Sequence, residues 1–362
     1  MGELVRQQQP ELQKLFASGK QVFSHSKLQS FNQCEYQYWL SYMREPRQKG
    51  IDNIYSVAGG KLHDIIEKIY NNKATQIDLK QELDSIISDC ELLGLEFPTE
   101  QIANNWKTAM YHFVNNFTKL NRRFETEQFF LYEIFPDIYM QGYIDAIDDS
   151  DKNSEDILDW KSSSAFSGEK EKEAGRQLII YKLAIESQGK KIKRVGWFMM
   201  KYLNLSYMQK NGKIKTRELG RHEWISKCAI MFTKDLSEYG LDDIEVDFVI
   251  EDAIQNNSIE NFPQEIQDKY TIDDCIKWYE VTEELIEETK QYIKDTIQKI
   301  NGKVNDEIDW QPIITIGEQK EQDQKAFFCN TLCSHRKDCE YLRKYLVEKE
   351  QRVEKDEYED LF

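Results

Sequence analysis

The chain has 362 residues and a formal charge of −17; this length suits one elaborated domain or two, and the charge excludes a protein that wraps nucleic acid indiscriminately, because its long-range field repels phosphate. No apolar run reaches the length of a membrane span, and the opening stretch lacks a signal-peptide core, so a cytoplasmic protein without a membrane partner is expected. Seven cysteines, an odd number in a large chain of this kind, speak for reduced thiols or a metal site rather than a disulfide framework.

Residues 1–22 read as a polar, Gln-rich lead-in in which Leu12, Leu15 and Phe16 form at most a short amphipathic turn. In 23–70 two helices are expected. Ser26 with Gln29 gives a capping-box pattern, Leu28, Phe31 and Tyr38 supply an apolar stripe, and the first helix should end before Pro46. Cys34 falls inside it and, taken alone, reads as a small core residue. Gly59-Gly60 reads as a flexible entry into the second helix, which carries His63 and Glu67 on one face. Residues 71–130 form a helical insertion, with apolar positions at Leu79, Leu83, Ile86, Ile87, Leu92, Ile102, Trp106, Met110, Phe113 and Phe117.

The segment 131–221 holds the most informative pattern. Glu133 opens a strand region and by itself reads equally well as an edge-strand charge. Apolar residues around Gly142 predict a strand, Asp148 to Asp151 a break, Asp156 to Lys161 a second strand, and the stretch through Tyr181 a helix. Strand alternation puts Asp159 and Lys161 on one side, and pairing brings Asp145 beside them. Gln177 and Tyr181 lie four apart on the helix, so both point at one spot. Two carboxylates and an ammonium suit Mg²⁺ or Mn²⁺ chemistry on phosphate, although Asp-x-Lys alone also reads as a solvated salt bridge. In 187–221 the basic residues Lys190, Lys191, Lys193, Arg194, Lys201, Lys210, Lys213, Lys215, Arg217 and Arg221 meet one acid, Glu218. Val195 to Met208 and Lys213 to Arg217 read as a hairpin turning at Asn211-Gly212, with Tyr202 and Tyr207 available to stack on bases. The same run also reads as a solvated face.

Residues 222–310 are acidic and read as mostly helical support, with Trp278, Tyr279, Leu285, Tyr292 and Ile293 near helical spacing. In 311–345, Cys329, Cys333 and Cys339 crowd a short polar segment beside His335, whereas Cys90, Cys228 and Cys275 have no spacing partner and are assigned to packing. Residues 346–362 form an acidic tail on a helix begun at Glu340. That tail reads as a frayed, solvated end, as a recruitment peptide, or as a segment that folds back on the basic hairpin.

Gly142-Tyr143-Ile144-Asp145, Asp159-Trp160-Lys161 and Gln177-x-x-x-Tyr181 together resemble motifs II, III and IV of the PD-(D/E)XK nuclease superfamily, in its RecB-like branch with the AddB and CRISPR-associated adaptation nucleases. Asp145 fits the metal-binding position better than Asp137 of the literal Pro136-Asp137 pair. Gly60-x-x-His63 resembles the family's His element, and Ser24-x-Ser26-x-Leu28-x-x-Phe31-x-x-Cys34 the opening of its iron–sulfur members. The resemblance implies an α/β fold, a central mixed sheet flanked by helices with helical insertions. It implies metal-dependent hydrolysis of DNA, by exonuclease action on ends or single strands, in recombination, repair or phage replication beside a protein partner of those processes. His63, Asp145, Asp159 and the Trp160 carbonyl would hold Mg²⁺ or Mn²⁺, with Glu133 as a further ligand. Lys161 would position water, and Gln177 and Tyr181 would support the site. Cys34, Cys329, Cys333 and Cys339 would ligate a 4Fe–4S cluster; one extra residue between Cys329 and Cys333 keeps Zn²⁺, or a Cys/His site using His335, as the alternative. A structure-specific endonuclease, an RNA-acting nuclease and a non-catalytic DNA-binding module stay open.

Overall fold

The computed structural model describes residues 10–47, 49–150, 155–314 and 325–359, with side chains as far as 351. The first nine residues of the lead-in, the tip of the acidic turn after Ser150 and the last three residues of the tail lie outside the described residues. Contacts gather the chain into two units: Met1–Ser56 with Phe129–Gly142 and Val281–Phe362, and Val57–Gln128 with Tyr143–Glu280.

The first unit begins with α1 (Pro10–Ala17), which buries Leu12 and leaves Phe16 exposed, and β1 (Gln21–Phe23). Helix α2 (His25–Gln33) is capped by Ser24, whose hydroxyl accepts the Lys27 N–H at 3.1 Å. The cap is therefore two residues earlier than the expected Ser26, because Ser24 is the residue with extended backbone and Ser26 already sits in the first turn, 3.0 Å from the Ser24 hydroxyl. Cys34 is also not inside a helix. Its backbone is extended, breaking α2 from α3 (Glu35–Tyr38), which runs on into a π-helical turn over Trp39–Met43.

Helix α4 (Ile54–Tyr70) contains Gly59 and Gly60 as interior residues rather than as a flexible entry. Helices α5 (Gln76–Leu92) and α6 (Glu100–Asn116) follow; α5 starts with a complete capping box between Thr75 and Asp78, and the two bury Leu79, Leu83, Ile86, Trp106, Met110 and Phe113. Strands β2 (Phe124–Phe135) and β3 (Ile138–Asp148) pair with each other, and β4 (Glu155–Lys161) runs antiparallel to β3. In the first unit, Gln21 to Phe23 pair in parallel with Ile138 to Met140. Helix α7 (Glu169–Glu186) then crosses over to β5 (Ile192–Met208), which lies parallel to β4, and the hairpin returns as antiparallel β6 (Ile214–Gly220) through a turn whose Gly212 has φ +77°, a conformation glycine adopts freely.

After α8 (Trp224–Tyr239), α9 (Asp243–Asn256) and the short α10 (Gln264–Gln267), the expected helical support gives way to a strand, β7 (Tyr270–Tyr279), antiparallel to β5. Trp278 and Tyr279 thus belong to the sheet and not to the helix that carries Leu285, Tyr292 and Ile293, α11 (Glu283–Asn301). Aromatic and β-branched residues fit a pleated surface better than a helix, which is why 270–279 departs from the expected pattern. Close packing enforces the strand: a Cβ on Gly175 of α7 would collide with the Tyr279 ring.

The registers fix where the sheet opens. β7 pairs with β5 at Val195–Phe198 and again at Leu203–Tyr207, so it lines one edge of β5 along both halves. β4 and β6 therefore share the other edge, β4 ending at the pair Lys161 and Met199, β6 at the pair Gly220 and Tyr202. Between them β5 carries extra residues, a bulge against β7. The carboxyl end of β4 thus opens at a split in the sheet, the kind of crevice in which open α/β sheets bind ligands.

In the first unit α11 packs on α2, the Asn32 amide donating to Tyr292 at 3.0 Å and to Thr296 at 2.9 Å. A last helix, α12 (Glu340–Glu359), carries most of the acidic tail.

Candidate active site

Alternation along β4 divides three adjacent residues between two jobs. Trp160 is 2% exposed and lies in an aromatic core, stacked on Tyr70 with ring centroids 5.6 Å apart and edge-on to Phe198 at 5.1 Å. Asp159 and Lys161 project to the opposite face, where the Lys161 ammonium lies 2.6 Å from the Asp159 carboxylate. Lys161 also donates to Gln177 at 3.2 Å, and the Gln177 amide donates to the Tyr181 hydroxyl at 2.6 Å, so one face of α7 orients the lysine. Asp145 on β3 accepts the Trp160 N–H at 2.8 Å, and His63 of α4 lies 3.5 Å from the same carboxylate oxygen. The structure therefore brings together Asp145, Asp159, Lys161, Gln177, Tyr181 and His63, with the Trp160 main chain hydrogen-bonded to His63.

Electrostatics make this an anion-crowded, poorly solvated site. Burial and then the Asp159 charge push the Asp145 carboxyl up to about 8, against the pull of Lys161 and the Trp160 N–H. Burial lowers the His63 imidazole below its ordinary value and outweighs the nearby Asp159, so the ring is neutral at pH 7 and free to act as a ligand. For Lys161 burial opposes the charge, but Asp159 and Asp145 outweigh it and hold the ammonium above its ordinary value. The Tyr181 hydroxyl is raised first by burial and then by the same two carboxylates, and stays protonated.

Glu133 does not join this group: it is exposed, and its carboxylate accepts the Asp137 N–H at 3.1 Å in the β2–β3 turn of the first unit. Asp137, of the literal Pro136-Asp137 pair, is tied to Lys20. The acid that faces the site from β2 is Glu127, which the sequence reading missed. Its carboxyl is raised by burial, then by Asp145 and Glu67, with His63 opposing. Glu127 has φ +51°, a left-handed conformation that is unfavourable for a residue with a side chain and that re-aims it out of strand alternation. No spacing rule announces such a residue.

The basic segment is not one surface. Lys190 pairs with Glu155 at 3.0 Å, Arg194 is locked to Asp156 and stacked 3.9 Å over Trp278, and Arg217 donates to Cys228 and to the Lys227 carbonyl, both at 3.3 Å. Lys201 is half-buried, and burial lowers its ammonium below the ordinary value. Lys191 and Lys193 are exposed at one end of β5, and Lys210, Lys213 and Lys215 at its hairpin tip, about 30 Å along the strand from the Lys161 register. Tyr207 packs in the core against Tyr270, ring centroids 6.2 Å apart, and the Tyr202 hydroxyl accepts the Ala165 N–H at 3.0 Å, so neither is a free stacking platform.

A model of the PD-(D/E)XK nuclease superfamily matches residues 22–340. The chain belongs to this superfamily. No curated protein matches the sequence. Membership makes the chain a phosphodiesterase of the nuclease class with nucleic acid as substrate, and the mixed sheet flanked by helices is the superfamily's fold. Nucleases of this superfamily use Mg²⁺ or Mn²⁺. As the side chains stand, no three His, Cys, Asp or Glu among the described residues are arranged to hold a metal ion. The donor chemistry nevertheless fits a divalent cation: a neutral imidazole and two carboxylates, one of which is held protonated by burial and by the charge of the other, both of which a cation would offset.

The nuclease has a second cluster, in the first unit. Cys34, Cys329, Cys333 and Cys339, all free thiols, line one cavity together with His335 and Gln37. Backbone N–H groups of Gln37, Ile313 and Tyr36 reach the Cys34 sulfur, that of His335 reaches Cys333, and those of Leu342 and Tyr341 reach Cys339. The extended break at Cys34 is what turns its sulfur toward the following amides. Burial raises all four thiols above their ordinary value, and neighbouring sulfurs add to this for Cys34, Cys329 and Cys333, Glu340 for Cys339. Cys90, Cys228 and Cys275 are buried outside this group.

Proposed function

We propose that this nuclease is a metal-dependent deoxyribonuclease of the RecB-like branch that acts as an exonuclease on DNA ends or single strands. The observation that carries the proposal is the meeting of Asp145, Asp159, Lys161 and His63 at the open end of β4, with Lys161 held by Gln177 and Asp159. His63, Asp145, Asp159 and the Trp160 carbonyl would hold Mg²⁺ or Mn²⁺, and Glu127, rather than Glu133, would add the further acid. Bound there, the cation supplies charge stabilisation at the phosphate and a more acidic water. Lys161 orients the attacking water and steadies charge on the phosphate; Gln177 fixes the lysine, and Tyr181 fixes Gln177. Asp145, as a ligand, would release its proton to solvent. The exposed lysines of the β5–β6 tip would track the DNA backbone away from the cut.

The four thiols are read as ligands of a 4Fe–4S cluster. Amide donors to three sulfurs favour thiolates, and the resemblance of the Cys34 segment to the opening of the iron–sulfur members favours a cluster over tetrahedral Zn²⁺. Its role is structural, tying the α2–α3 break to the segment before α12. End-labelled linear and circular DNA, single- and double-stranded, incubated with Mg²⁺ or Mn²⁺ and with chelator, tests the activity: degradation of linear but not circular substrate supports it, and cutting of circles makes the enzyme an endonuclease.

A further inference from the structure

The cysteine cavity is lined by buried polar atoms that the thiols alone do not account for: the Gln37 Oε1, an acceptor, and a ring nitrogen of His335, which can donate. His335 is 2% exposed and lines the cavity; its Nε2 lies 2.8 Å from the Ser41 hydroxyl, while its buried Nδ1 has no hydrogen-bond partner among the described residues. Leaving a buried imidazole nitrogen unpaired is costly, so a functional state that pairs it is expected. With the Ser41 hydroxyl donating to Nε2, the ring proton sits on Nδ1, which is then a donor. Peptide N–H groups serve Cys34, Cys333 and Cys339, whereas the Cys329 sulfur has no such donor among its described contacts. A protonated thiol is a poor acceptor. A metal-bound thiolate is a good one, and metal binding is what removes the thiol proton.

We propose that His335 is a positioning residue of the cysteine centre: its Nδ1–H donates to a metal-bound cysteine sulfur, that of Cys329, and Ser41 holds the ring in the tautomer that allows this. The proposal rests on the reading of the four thiols as a metal centre. It is distinct from a Cys/His ligand set, in which the same nitrogen would bind the metal itself.

The test uses the full chain purified without oxygen, as wild type and as His335→Leu, His335→Gln, Ser41→Ala and Cys329→Ser. Metal and acid-labile sulfide per chain, visible circular dichroism and the rate of metal loss to a chelator are measured on each. A donor role predicts the wild-type complement in His335→Leu, shifted sulfur-to-metal bands, and metal loss about tenfold or more faster, with His335→Gln close to wild type and Ser41→Ala between the two. A His335→Leu protein identical to wild type in spectrum and loss rate overturns the proposal. So does a His335→Leu protein without metal beside a Cys329→Ser protein that keeps it, which makes His335 a ligand. If His335→Leu does not fold, Ser41→Ala decides, and a wild-type spectrum and loss rate there overturn the proposal. Wild type free of both metal and sulfide would instead bring down the metal centre on which the proposal stands.

Discussion

Burial makes a charge on Asp145 costly, and the Asp159 carboxylate beside it adds to that cost. An unfolded chain releases the Asp145 proton near 3.8, whereas the folded, metal-free protein keeps it to about 8. The folded state therefore binds more protons across that window, and stability of the metal-free protein falls as pH rises through it, then levels off above it. Asp145→Asn should stabilise the protein in EDTA at pH 9 by on the order of a few kcal/mol, read as a higher thermal midpoint, and change little near pH 4. Mg²⁺ should stabilise wild type at pH 9 but not the variant, and its affinity for wild type should rise as pH approaches 8; an affinity flat with pH would contradict the protonated carboxyl. Lys161→Ala, by contrast, removes a group that serves the reaction, and cleavage should vanish while circular dichroism stays that of wild type.

At the scale of elements, what was legible in the sequence is what local chemistry dictates. The β3–β4–α7 succession follows from alternation, an acidic turn and helical periodicity, and the three motifs on it meet as their spacing implies. The misses have long-range causes. Ser24, not Ser26, caps α2 because the chain arrives extended from β1. β7 is a strand because β5 offers it an edge, a partner that no local pattern in 270–279 reveals. Glu127 enters the site through a left-handed residue inside β2. Glu127→Gln should weaken Mn²⁺ binding about tenfold while Glu133→Gln leaves it unchanged, as read by calorimetry; the reverse order would restore Glu133 as the first acid. Gly175→Ala should destabilise by about 1–3 kcal/mol, because α7 must move off Tyr279, and thermal unfolding reads this directly.

For the whole molecule, a charge of −17 makes the long-range field repel DNA, and within the basic run Lys190, Arg194 and Arg221 are all held by carboxylates. The basic run reads as a surface only while its partners, Glu155, Asp156 and Asp274, are unseen. Lys210, Lys213 and Lys215 remain exposed, so a triple substitution to Gln should reduce the salt dependence of DNA binding without changing the cleavage rate at saturating DNA. Among the described residues no helix is long and apolar enough to cross a membrane. The most direct measurement of the account is cleavage of end-labelled linear DNA by wild type and Lys161→Ala, each with Mg²⁺ and with EDTA. Products are expected only for wild type with Mg²⁺; wild-type turnover in EDTA, or full activity without the lysine, would contradict the assignment of Lys161 and the metal site.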